Sequence, residues 1–103
     1  MDSNTVVITG GVVKEFKKIT DDFGVFRVVS NSRRSKEPLY IDVKIAGRLV
    51  AICEEYVRKG TQVHVVGRLE LRTRRYEEKD MNINDYSIFA DSLDFSNSRV
   101  QSF

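Results

Sequence analysis

Between Tyr40 and Tyr76 the spacing of the apolar residues changes twice, and few small folds accommodate such a change. In "YIDVKI", Ile41, Val43 and Ile45 alternate with Tyr40, Asp42 and Lys44, the period of a strand with one buried face. From Arg48 to Lys59 the period lengthens. Leu49, Ile52, Cys53 and Tyr56 stand at i, i+3, i+4 and i+7, which predicts one apolar helical stripe. Gly60 stands where a C-cap glycine belongs, with Arg58 and Lys59 in the last turn, where the helix dipole favours cations. "TQVHVVGRLELRTRRY" then returns to alternation, and Gly67 marks a bulge or bend within it.

The flanks supply three more strands. "TVVITGGVVKEF" is β-branched, with Gly10 and Gly11 allowing a bulge or sharp bend. "TDDFG" is a turn, and "VFRVVS" follows with Phe26 and Val28 on one side. "NSRRSKEP" and "EEKDMNIND" are polar hairpin loops, "YSIFADSL" is a last strand, and "DFSNSRVQSF" lacks periodicity. Three strands, a helix and two strands fit an all-β domain over residues 1–95, with a loose tail over 96–103. A five-stranded OB-fold barrel with one helix between the third and fourth strands has this order, and such barrels bind oligonucleotides. An SH3-like barrel is the structural competitor.

At 103 residues the chain has room for a single core. No run approaches the ~20 apolar residues that span a bilayer, and nothing at the N-terminus resembles a signal peptide. Cys53 is the one cysteine, so no internal disulfide is possible and a reducing cytoplasm is expected. Charge is unevenly placed. Residues 1–76 hold 15 Lys and Arg against 9 Asp and Glu, whereas residues 77–103 hold 2 against 6. A basic body with an acidic last quarter suggests a nucleic-acid partner. The acidic segment from Glu77 to Asp94 would then keep the protein soluble or compete weakly for the basic face.

"RLELRTRRY" concentrates this character. With a period of two, Leu69 and Leu71 form a face fit to bury, while Arg68, Glu70, Arg72, Arg74 and Tyr76 form the other. Binding single strands without sequence preference needs cations along a groove and flat rings for the bases. Tyr40 and Tyr76 are the ring candidates from these patterns; Arg72, Arg74 and Lys44 share their faces. Arg27, Arg33, Arg34 and Lys36 bracket the basic hairpin loop. Tyr86 could face the core or the groove. Tyr56 and Cys53 read as core residues. His64 has no matching ligand and reads as a surface or subunit-interface residue. No Walker loop, zinc spacing or nucleophile motif is present, so neither a cofactor, a metal nor an enzymatic activity is expected.

The segment "YIDVKIAGRLVAICEEYVRKGTQVHVVGRLELRTRRY" resembles the bacterial-type single-stranded DNA-binding protein family. An aliphatic-Gly-Lys/Arg-Leu step, a Tyr-x-x-Lys-Gly helix end and a Gln-Val-x-Val-x-Gly-x-Leu strand running into Arg-Thr-Arg occur in order. "VVITGGVV" is also similar to that family's first strand, and the likeness covers roughly residues 4–95. The resemblance implies base stacking at Tyr40 and Tyr76, and Arg33 or Arg34 in place of a further aromatic after the second strand. It also implies a homotetramer, with a dimer as the alternative, acting with replication proteins in replication, recombination or repair in a bacterial or phage-infected cytoplasm. The chain departs from the family in having no tryptophan, no Gly/Pro-rich linker and no acidic tail. A primosome-type OB-fold accessory protein, acting mainly through protein partners, is the alternative. A third possibility is an interaction module whose basic face meets an acidic protein.

Overall fold

The computed structural model describes residues 2–32, 34 and 36–95. Arg33 and the tail 96–103 lie outside these described residues. Five strands form a closed barrel in the order β1-β2-β3-β5-β4: β1 Val6–Thr20, β2 Phe23–Ser30, β3 Leu39–Ala46, β4 Gln62–Tyr76 and β5 Met81–Phe95. Helix α1, Leu49–Tyr56, lies between β3 and β4 in sequence and packs against β1 and β3. This is the OB-fold order, and it matches the alternation read from the chain.

Closure depends on β1 serving two neighbours. Its first half pairs with β4 from Val6↔Gly67 to Gly11↔Gln62, and its second half pairs with β2 from Gly11↔Val29 to Thr20↔Phe23. The handover falls at Gly10–Gly11. A Cβ on Gly10 would stand 2.2 Å from the Val29 carbonyl oxygen, so only glycine lets the two strands approach there. The parallel β3–β5 pairing, Asp42↔Ser87 to Lys44↔Phe89, completes the ring.

Inward-facing residues fill the barrel. Phe26, Val28, Val43, Ile45, Val63, Val65 and Ile88 are fully buried, each aliphatic side chain contributing about 1.5–3 kcal/mol on burial. One end is covered by Val50, Cys53 and Val57. The apolar stripe of α1 is therefore rotated from the one read in the sequence. Ile52 is exposed, and Leu49 and Tyr56 flank the buried line, with Tyr56 against Phe95 at 5.7 Å between ring centroids. The helix is also shorter than expected. Val57 is extended and buried, and Gly60, at φ +88°, serves the turn after it, donating to the Val12 carbonyl at 2.8 Å. Arg58 lies past the helix end and donates from Nη1 to the Glu54 carbonyl at 2.8 Å, doing from outside what a last-turn cation would do.

Two polar segments contribute more strand than their sequence suggests. The connection after β4 is a single 3₁₀ turn, Glu77–Lys79, closed by Asp80 at φ +48°, and residues 81–85 belong to β5. Asp94 and Phe95 likewise continue β5, opposite His64 and Val63.

Candidate nucleic-acid interface

β4 and β5 outrun the barrel. β1 leaves β4 at Gly67 and β3 leaves β5 at Ser87, while the β4–β5 ladder runs on to Tyr76↔Met81. Beyond the barrel these strands form a two-stranded ribbon with both faces in solvent. Hence Leu69 and Leu71, expected to form a buried face, are 38% and 55% exposed. Asn4 steadies the ribbon's base, donating from Nδ2 to the Leu69 carbonyl at 2.8 Å and accepting the Leu69 N–H on Oδ1 at 3.0 Å. Thr73 and Asn84 are bonded across the ribbon at 3.0 Å, and Arg75 holds both Asn82 and Asp80.

The ribbon's register is set at Gly67. Val66 faces Ser92 and Gly67 faces Ala90, so Asp91 is an extra residue in β5. A Cβ at position 67 would lie 2.2 Å from the Phe89 carbonyl oxygen, which explains the glycine. On the N-terminal side of Asp91, Ile88 and Ala90 point inward; on the other side Leu93 and Phe95 do. The outward face before the bulge carries Ser87 and Asp85, and it adjoins Arg72 and Glu70 on β4 and Asp42 and Lys44 on β3.

A groove of about 560 Å³ runs along this outer face, lined by Arg27, Tyr40, Asp42, Lys44, Arg72, Arg74, Asp85, Tyr86 and neighbouring residues. Five of the residues proposed from sequence thus come together: Tyr40, Lys44, Arg27, Arg72 and Arg74. Tyr76 does not line the groove; it sits at the ribbon's far end, 44% exposed. Arg34 and Lys36 are exposed in the loop between β2 and β3 and do not line it either.

Tyr40, 56% exposed, is on the outward face, whereas Tyr86 is at the groove's margin, 53% exposed: it alternates with Asp85 and Ser87 and also lines a second cavity with Leu39, Leu69 and Ile88. Its alternation matches Ile88 and pointed equally to the core, because alternation cannot tell where a ribbon leaves its barrel. Asp42 and Asp85 were likewise not singled out. Arg27 Nε donates to Asp42 Oδ1 at 2.7 Å, and this hydrogen bond, then the charge, raises the arginine pKa further against a small opposing effect of burial. Lys44 Nζ lies 3.6 Å from Glu70, and Arg74 Nε lies 2.6 Å from Asp85. Arg68 packs over the Phe89 ring at 5.3 Å.

Away from the groove, Cys53 is fully buried, and burial pushes its thiol up to about 12. It holds no thiolate at neutral pH. His64 Nδ1 lies 2.7 Å from Thr9 Oγ1 across the β1–β4 ladder. No group of His, Cys, Asp or Glu suited to a metal occurs among the described residues, and no helix there is long and apolar enough to cross a membrane.

The architecture and the cationic, aromatic outer groove are those of an OB-fold with an elongated β4–β5 ribbon. Residues 3–96 match the profile of the Single-strand binding protein family, and the chain belongs to that family. Its structure is similar to a small single-stranded DNA-binding protein from Streptomyces coelicolor, with TM-score 0.80 and 19% identity over 96% of this chain and 99% of that one. The mitochondrial single-stranded DNA-binding protein Rim1 of S. cerevisiae gives TM-score 0.80 at 17% identity, covering 93% and 97%. The Plasmodium falciparum SSB, solved in complex with ssDNA, gives 0.76 at 20%, covering 94% and 97%. Among curated proteins, no sequence match was found.

Proposed function

We propose that this protein binds single-stranded DNA without sequence preference, along the outer groove and onto the ribbon, and that it is not an enzyme. The observation that carries this reading is Tyr40, about half exposed, in a groove lined by Arg27, Lys44, Arg72 and Arg74, with Tyr86 at its margin. Flat rings offer faces to unstacked bases, and the cations follow the phosphates. Arginine suits this role because its planar fork meets phosphate bidentately. Tyr76, on the same ribbon face as Arg72 and Arg74, extends the path outward. Arg33, Arg34 and Lys36 would meet the strand from the loop side. Family membership supports the strand-binding reading.

The protein works as a homo-oligomer, a tetramer or a dimer, in replication, recombination or repair in the cytoplasm. One observation supports self-association: among the described residues no strand pairs with the second edge of Val6–Gly10. The primosome-type reading draws instead on the apolar side chains of Val7, Leu39 and Leu71, which are more than half exposed and could meet a protein partner.

A fluorescence-anisotropy titration tests the proposal, using labelled oligo-dT of ~30–40 nucleotides against duplex of equal length at several salt concentrations. Tight, salt-sensitive binding to the single strand with much weaker duplex binding is expected. Equal, weak binding to both would reduce the groove to a general polyanion patch and favour the protein-partner reading.

A further inference from the structure

We infer that Asp42, Glu70 and Asp85 set the groove's affinity and its preference for single strands, by holding its cations in ion pairs that nucleic acid must replace. This rests on the strand-binding reading above. The pairs are Arg27–Asp42 at 2.7 Å, Lys44–Glu70 at 3.6 Å and Arg74–Asp85 at 2.6 Å. Among the described residues, Arg72 is the cation lining the groove that has no such partner. The acids lie between the cations on the sheet. Arg27 faces Asp42 across β2–β3, Asp42 faces Ser87 across β3–β5, Glu70 also faces Ser87, and Asp85 faces Arg72.

Every one of these side chains is between 31% and 47% exposed. Ion pairs in such surroundings are weak, each equivalent to about a two- to five-fold factor in an equilibrium, so a phosphate can displace the carboxylate. The displaced carboxylate stays beside the phosphate as a like charge. That penalty grows with phosphate density, and a duplex carries one charge per about 1.7 Å of axis. An unpaired strand recovers the cost by stacking its bases on exposed rings such as Tyr40, which a duplex cannot do. The released carboxylate also gathers a cation from solution. Each ion pair opened therefore cancels part of the counterion release that drives binding and flattens its salt dependence.

The test compares the full-length protein with Asp42→Asn, Asp85→Asn and the double variant. Labelled oligo-dT and a duplex of equal length are titrated between about 50 and 200 mM salt, the range where such contacts are most visible. Asparagine keeps the shape of both exposed side chains, and an unchanged thermal melt confirms the fold. Each substitution should tighten oligo-dT binding about two- to five-fold. Each should steepen the salt slope by up to about 0.7, and tighten duplex binding by a larger factor, so that strand preference narrows. Unchanged or weaker oligo-dT binding would overturn the inference, as would tightening with an unmoved slope or an unmoved strand preference. A wild-type protein that ignores oligo-dT would overturn the strand-binding reading itself and this inference with it. A wild-type protein that binds, beside variants that do not differ from it, overturns this inference alone.

Discussion

Arg74 and Asp85 stand diagonally across the β4–β5 ladder with Nε 2.6 Å from Oδ2, whereas Arg72, directly opposite Asp85 in register, has no ion pair among the described residues. Two arginines one step apart on the same face are thus unequal before any ligand arrives. Arg72→Ala should weaken oligo-dT binding more than Arg74→Ala, because only Arg74 surrenders a carboxylate when it meets phosphate. Both should weaken binding alike across sequences, and Arg72→Ala should lower the salt slope by about 0.7. Anisotropy titrations on oligo-dT and a mixed sequence read both effects.

Stacking supplies the second prediction. Tyr40→Ala and Tyr86→Ala should each cost about 1–3 kcal/mol of single-strand affinity, while Tyr40→Phe and Tyr86→Phe retain most of it. Tyr76→Ala should cost less on a short oligonucleotide than on a long one, since its ring lies at the ribbon's far end, outside the groove. Equal losses at all three tyrosines on a short oligonucleotide would contradict this placement.

The strand arrangement was legible because alternation reports which face is buried, and it placed Phe26, Val28, Ile41, Val43 and Ile45 inside. The helical face was misjudged because its stripe ends in Val57, which is buried after the backbone has already turned extended. Leu69, Leu71 and Tyr86 keep the inward alternation of the barrel strands but sit where β1 and β3 no longer accompany β4 and β5. Only tertiary pairing decides where alternation stops meaning burial. The polar run 81–85 looked like a loop for the same reason: a free ribbon needs no apolar face, and Asn82 and Asn84 hold it through cross-strand hydrogen bonds. Cations were easy to propose from sequence, whereas the carboxylates that pair with them come from other strands and could not be matched in advance.

Two glycines should be irreplaceable and a third should not. Gly10→Ala and Gly67→Ala each force a methyl to 2.2 Å from a carbonyl oxygen, and each should cost about 1–3 kcal/mol or more. At Gly11 the nearest atom to a new Cβ is a Gln62 side-chain oxygen at 3.7 Å, so Gly11→Ala should be tolerated. Urea unfolding midpoints distinguish the three.

Alkaline pH should expose the buried thiol. The Cys53 pKa is raised from 9.0 to about 12 by burial, so the folded state keeps the proton longer than the unfolded chain does. The neutral thiol's contribution is fully present below pH 9 and is lost as pH rises through about 12. Cys53→Ala should lower stability at neutral pH through the cavity it leaves, yet decline less steeply than the wild type between those values. Chemical denaturation at pH 7 and at pH 10.5 tests the difference in slope.

Because β1 changes partners at Gly10–Gly11, neither half of the strand can hold the barrel by itself. The β1–β4 seam joins residues as far apart as Thr9 and His64, separated by 55 positions, and the Asn4 clamp on Leu69 spans 65. A long stretch of chain must lose its freedom before that seam returns any binding energy. Such non-local closure places folding on the slow side of small domains, on the order of milliseconds to seconds. Releasing either seam of β1 opens the ring as a whole, so exchange of the β1 amides with solvent should report complete unfolding of the domain.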